Sequence, residues 1–210
     1  MSLRTLLSAL VFPDAFFSTR PVRTADAGRV VLLVAALHAV GYYALLLAGA
    51  AVASSQGSSF GVTELLADLG GWTYAQGLLV GLLVVLNWLI VGAVLHIALS
   101  LRGDAGPYAD TLAVVGWSSP AALLSPLVGG VGFLLAVHGN TLAMSYDAKL
   151  AAVAPAATLA SVVGGLLTLL WQGHVWSAGL RHVHGVDRRA AAEATALTFV
   201  LGVAALVVGA

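Results

Sequence analysis

"YAQGLLVGLLVVLNWLIVGAVLHIALSL", Tyr74 to Leu101, runs for 28 residues without an acidic or basic side chain. A crossing of the bilayer core needs about 20 predominantly apolar residues, so this stretch reads as a membrane-spanning helix. Composition extends that reading to the whole chain. Of its 210 residues 60% are hydrophobic and 9% charged, and the mean hydropathy is +0.99, more apolar than a water-exposed surface accommodates. Four further stretches of near-spanning length accompany the first, at about Val30 to Ala53, Thr111 to His138, Leu150 to Ser177 and Ala190 to Gly209. The predicted fold class is all-α: a polytopic membrane helix bundle of five transmembrane helices. Residues 1–28 form a cytoplasmic or interfacial segment ahead of the transmembrane domain, residues 29–210.

The amino-terminal segment, "SLRTLLSALVFPDAFFSTRPVR", is too short to span. Leu3, Leu6, Leu7, Leu10 and Val11 recur at helical spacing until Phe12-Pro13 ends the run. A signal peptide fits poorly, because the apolar core is brief and no A-x-A cleavage pattern follows. An amphipathic interfacial helix fits better, with Phe12, Phe16 and Phe17 dipping into the headgroup boundary.

Charge orients the bundle. An odd number of spans puts the termini on opposite sides. "SSQGSSFGVTELLADLGGW", Ser54 to Trp72, carries Glu64 and Asp68 but no base, whereas the loop from Gly179 to Arg189 holds Arg181, Arg188 and Arg189. A cytoplasmic amino terminus places all eight arginines inside and leaves Lys149 alone outside, as the positive-inside rule requires. The expected location is the cell membrane, multi-pass, with the carboxyl terminus outside. The chain contains no cysteine and has no net formal charge. That composition excludes disulfides and thiolate chemistry and gives no sign of nucleic-acid binding. No internal repeat is evident.

One span carries helix breakers. In "GPYADTLAVVGWSSPAALLSPL", Gly106 to Leu127, Pro120 and Pro126 each remove an amide donor and clash with the preceding turn, which predicts a kink or non-helical break between Trp117 and Leu127. The freed carbonyls need partners within the bilayer, and Ser118, Ser119, Ser125 and the Trp117 indole are donors at that level. The segment Gly116, Trp117, Ser118, Ser119, Pro120 and Pro126 is either a kinked packing element or the lining of a polar cavity for a ligand or ion.

The same region carries a family resemblance. "HIALSLRGDAGPYADTLAVVGWSSPAALL", His96 to Leu124, resembles the central motif of the Yip1-domain family: a His-ended second helix, a Gly-containing loop, an aromatic and Thr-Leu, then a Gly-aromatic-x-x-Pro turn. "WSAGLRHVHGVDRRAA", Trp176 to Ala191, is similar to the family's segment after the fourth span, and "VFPDAFF" to its amino-terminal Pro and Phe segment. Eukaryotic members carry a long cytosolic region before the spans, so residues 1–28 make this chain resemble a short prokaryotic type, bacterial or archaeal. The resemblance implies a non-enzymatic membrane scaffold or adaptor that organises partner proteins or lipids. The alternative is a small transporter or channel built around the broken third helix.

Catalytic signatures are absent from the sequence. There is no His-Glu-x-x-His, no Gly-x-Ser-x-Gly and no Gly-rich phosphate loop, and no acidic residue lies within a span. Glu193 is expected in the first turn of the last helix, where the dipole favours it. No cofactor and no metal is expected. Intramembrane polar residues are His38, Asn87, His96 and His174, with Gln76 and Gln172. His38, His96 and His174 fall at similar depth and read either as a metal or proton site or as separate hydrogen-bonding groups. Gly77 and Gly81 suggest helix packing within the chain. The cytoplasmic contact surface is expected at Arg181, His182, His184, Gly185, Arg188 and Arg189, with both histidines exposed. The expected partners are membrane lipids and other membrane proteins.

Overall fold

The computed structural model describes residues 2–55, 72–139 and 146–209. The loop containing Ser58, Glu64 and Asp68, and the side chain of Lys149, lie outside the described residues. The described chain forms α1 (Leu3–Val11), α2 (Pro13–Thr19), α3 (Thr24–Ser55), α4 (Trp72–Ser100), α5 (Tyr108–Ser118), a 3-10 turn (Ser119–Leu123), α6 (Leu124–Gly139), α7 (Tyr146–His184) and α8 (Arg188–Gly209). Five segments are long and apolar enough to cross a membrane: Thr24–Val52, Ala75–Ser100, Tyr108–Gly139, Ala154–His184 and Arg188–Val208. The third consists of α5, the 3-10 turn and α6, interrupted where the two prolines predict it.

Helix α1 begins where the Ser2 hydroxyl accepts the Thr5 amide at 3.3 Å, and Pro13 occupies the first turn of α2, where its missing N–H is not needed. The fourth span runs further than hydropathy suggests. No breaker follows Ser177, so α7 continues to His184 and absorbs most of the expected loop. Gly185, at φ +68°, then takes the left-handed conformation that suits glycine after a helix. Asp187 starts α8, its Oδ1 accepting the Ala190 amide at 2.7 Å. Because α8 begins at Arg188, Glu193 lies beyond its first turn, contrary to expectation.

The bundle is held most extensively by α6 against α7 and α3 against α4, with α8 closing on α7 and α4. Small residues allow close approach, which matters where lipid tails are as apolar as the helices. A Cβ at Gly77 would collide with the Tyr43 ring, and one at Gly81 would lie 3.1 Å from the Ala35 carbonyl oxygen. Both glycines thus serve α3–α4 packing. Leu32, Val40, Leu135 and Leu159 are exposed on the outer faces, as lipid-facing residues should be.

The buried core is concentrated at the end of the bundle where the arginines collect. Val30, Val34, Leu95, Leu99, Val114, Val175, Trp176 and Leu180 form it, and Phe16 and Phe17 of α2 belong to the same cluster. Contrary to the expectation from sequence, Phe16 and Phe17 do not dip into the headgroup region but are buried in protein, and of the three rings Phe12 alone stays exposed. The physical reason is that α2 has a partner surface on α7, so its rings exchange lipid for protein. Near the opposite end a small cluster of Val52, Phe133, Ala136 and Val137 completes the packing.

Candidate functional site

Three groups of polar residues from distant parts of the sequence meet at the arginine-rich end. The first centres on His184. Its Nδ1 accepts the Gly106 amide at 3.0 Å, which fixes the proton on Nε2, so Nε2–H donates to Thr111 Oγ1 at 2.9 Å. The Thr111 hydroxyl is then oriented to donate to His96 Nδ1, 3.3 Å away. The His96 ring lies edge-on to Tyr108 with centroids 5.2 Å apart, and Tyr108 Oη donates to the Leu89 carbonyl at 3.2 Å. The end of α7 is thereby tied to the α4–α5 turn. His184 is not exposed as the sequence suggested, because the extension of α7 carries it into that turn.

The second group docks the amino-terminal helices. Asp14 of α2 pairs with Arg181 and accepts from His182 Nε2 at 3.2 Å. Trp171 Nε1–H donates to the Leu10 carbonyl at 2.9 Å. Phe16 meets Trp117 at 4.9 Å between centroids, and the Arg20 guanidinium lies 5.4 Å from the Phe16 centroid. In the third group Glu193 holds Arg102 and accepts from Arg189 Nε at 2.8 Å, while Arg102 also reaches Asp104 at 3.3 Å.

These pairings change which charges face outward. Arg181, Arg189 and Arg102 are committed to acids of the same chain, and Arg29 to Asp26 at 3.0 Å. Arg4, Arg20, Arg23 and Arg188 are exposed and have no acidic partner among the described residues. Three of the four lie on or beside α1 and α2. Of these, Arg20 lines a cavity of about 360 Å³ together with Thr5, Phe16, Asp26, Arg29 and Trp117. On α1, Leu3, Leu7 and Val11 expose an apolar stripe that Phe12 continues, with Leu3 72% and Phe12 67% accessible.

The broken helix is closed at its arginine-side half. Ser118 Oγ donates to the Val115 carbonyl and Ser119 Oγ to the Gly116 carbonyl, both at 2.7 Å. Pro120 cannot satisfy Gly116, so the serine does. Thr168 Oγ1 donates to the Ala121 carbonyl at 3.3 Å from α7. The indole expected to help was that of Trp117, but Trp117 packs on Phe16 and it is Trp176 Nε1–H that reaches Ser118 Oγ, at 2.7 Å. Gly116 permits contact with α3, since a Cβ there would lie 2.7 Å from Ala27 Cβ. Pro120 is half-buried, and Pro126 is exposed on the groove described next.

Beyond the break the bundle opens. An apolar groove of about 540 Å³ lies between α3 and α6, lined by His38, Gly41, Leu45, Pro126 and Gly130 among others. It adjoins a second space of about 390 Å³ that shares His38, Leu45, Pro126 and Gly130 and adds Ser125 and Ser161.

The level shared by His38, His96 and His174 is not a shared site. His38 Nδ1–H donates to the Val34 carbonyl of its own helix at 2.9 Å, His96 turns to Thr111, and His174 is exposed on α7. Among the described residues no group of three or more His, Cys, Asp or Glu side chains is placed to hold a metal ion. Tyr42 Oη donates to Gln76 Oε1 at 2.7 Å between α3 and α4. Gln172 is buried and Asn87 exposed. Sequence reasoning missed Thr111, Asp14, Thr168 and Trp176 as partners. The available signal was the pair of motif segments themselves, because His96, Gly106, Tyr108, Thr111 and His184 all come from them and converge.

The architecture is that of a multi-pass, all-α membrane protein with five spans and two short helices docked at one end. The chain belongs to the Yip1 domain family, whose model matches residues 7–209. No curated protein and no solved structure matches it.

Proposed function

We propose that the protein is a non-enzymatic membrane scaffold or adaptor of Yip1 type that holds lipids or partner proteins at the cytoplasmic face, with its amino terminus inside and its carboxyl terminus outside. The observation that carries the proposal is the docked amino-terminal platform. Leu3, Leu7, Val11 and Phe12 offer an apolar edge beside Arg4, Arg20 and Arg23, which no acid of the described chain neutralises. An apolar edge and adjacent guanidinium groups suit the boundary between acyl chains and anionic headgroups. Each basic residue near such a surface contributes about 1 kcal/mol. The platform adds to the contact surface expected at Arg181, His182, His184, Gly185, Arg188 and Arg189, where Arg181, His182 and His184 bond within the fold and Arg188 and Arg189 stay exposed. In this reading residues 1–28 make contact and residues 29–210 anchor them.

The internally bonded serines of the broken helix support a packing role there rather than a polar passage. A mild-detergent pull-down with mass spectrometry on protein and lipid tests the proposal, comparing the native chain with Arg4, Arg20 and Arg23 replaced by alanine. Loss of co-purifying anionic lipid or protein in the variant is the expected result. Recovery unchanged in both classes contradicts it.

A further inference from the structure

The groove between α3 and α6 lies within the spans and on the opposite half of the bundle from the arginine platform. Along α3 it runs from Leu37 to Ala48, and along the third span from Leu123 to Leu134. Each stretch is 12 residues from first to last, and the rise between its ends, at 1.5 Å per residue, is roughly 16 Å. Half of the hydrocarbon core is roughly 15 Å. His38 lies at the middle of the span Thr24–Val52, so the groove begins at the bilayer midplane and extends through one leaflet. Small residues, Gly41, Ala44 and Ala48 on α3 and Gly130 on α6, leave it open, and leucine and valine make it apolar. In that location the surrounding medium is lipid.

The deep end is not apolar. The His38 ring lines both adjoining spaces. Its Nδ1–H is used by the Val34 carbonyl, so in the neutral imidazole Nε2 is an acceptor. An acceptor in hydrocarbon is costly to leave unpaired, and a ligand bearing an O–H group would satisfy it. Ser125 adds a hydroxyl-bearing residue to the space that His38 lines, and Ser161 another further along it, opposite Gly129. We infer that this groove is a lipid site for one hydrocarbon chain whose buried end carries a hydroxyl, the hydroxyl donating to His38 Nε2 and the chain lying toward the leaflet remote from the arginines. The inference rests on the reading of the protein as a lipid-holding scaffold and adds a second, chain-selective site to the headgroup surface.

The test uses the full chain in lipid nanodiscs and a long-chain alcohol carrying a photoreactive diazirine and a terminal alkyne, beside the same chain without the hydroxyl. Label from the alcohol is expected on peptides covering 37–48 and 123–134. Gly41→Phe should abolish it, since a Cβ at Gly41 meets nothing within 4 Å and the ring fills the groove without displacing backbone. His38→Leu should lower labelling by the alcohol roughly fivefold, as for one lost hydrogen bond, and leave the hydroxyl-free chain unaffected. Label spread equally over the exposed faces of α4 and α8, or unchanged in Gly41→Phe, overturns the site. Equal labelling by both chains in the native protein overturns the hydroxyl selectivity. None of these readings depends on Arg4, Arg20 or Arg23, so failure here and failure of the headgroup surface are separately visible.

Discussion

Trp176 donates its indole N–H to Ser118 Oγ over 2.7 Å, and both residues are fully buried. This contact joins α7 to α5 one residue before the 3-10 turn, and Ser118 passes the hydrogen bonding on to the Val115 carbonyl. The break is therefore anchored by a side-chain network where backbone bonding is interrupted. Ser118→Ala leaves a buried indole donor without an acceptor and should destabilise the bundle by about 1–3 kcal/mol. Denaturant or thermal unfolding in detergent measures this. An unchanged midpoint would show that the contact contributes nothing.

Docking of the amino-terminal helices depends on Phe16, which is buried against Trp117 and Phe17. Phe16→Ala should weaken docking by about 3–5 kcal/mol, the usual cost of removing a buried phenylalanine ring. Ala9, the fully buried residue of α1, gives the readout. A cysteine at Ala9 should resist a soluble thiol reagent in the native background and react in the Phe16→Ala background. Equal reactivity in both would mean that Phe16 does not hold α1 and α2 down.

His184→Ala removes the acceptor of the Gly106 amide and the partner of Thr111. Hydrogen exchange at Gly106 should accelerate roughly two- to thirteenfold, corresponding to one net hydrogen bond of about 0.5–1.5 kcal/mol. Exchange at buried Val175, remote from the turn, serves as the control and should stay slow. Acceleration at both sites would indicate general unfolding, and no change at Gly106 would remove His184 from the account of the turn.

The spans were legible because uncharged runs of spanning length leave few alternatives, and the break was legible because Pro120 and Pro126 remove donors whatever surrounds them. Lipid and protein exert the same pull on an apolar side chain. Phe16 and Phe17 would be equally apolar facing either, and only their place beside α5 and α7 decides it. The end of α7 was misplaced because polar residues from Arg181 to His184 signal departure from the membrane, not from the helix; Gly185 was the better marker. Which arginines face outward was illegible, since Asp14 meets Arg181 across 167 positions and Arg102 meets Glu193 across 91.

The proposed orientation has its own test. Single cysteines at Ser58 and Arg188 should lie on opposite sides of the membrane, so an impermeant thiol reagent applied to intact cells labels the first and not the second. Labelling of both contradicts five crossings with a cytoplasmic amino terminus.

The central claim is that the docked amino-terminal platform holds anionic lipid without transport. Native mass spectrometry of the protein released from vesicles of mixed phosphatidylcholine and phosphatidylglycerol measures it most directly, comparing the native chain with the Arg4→Ala, Arg20→Ala, Arg23→Ala combination. The native chain should carry bound phosphatidylglycerol and the variant about a hundredfold less avidly, as three contributions of about 1 kcal/mol imply. Equal retention by both proteins, together with solute flux through native proteoliposomes, would contradict the scaffold and leave the transporter in its place.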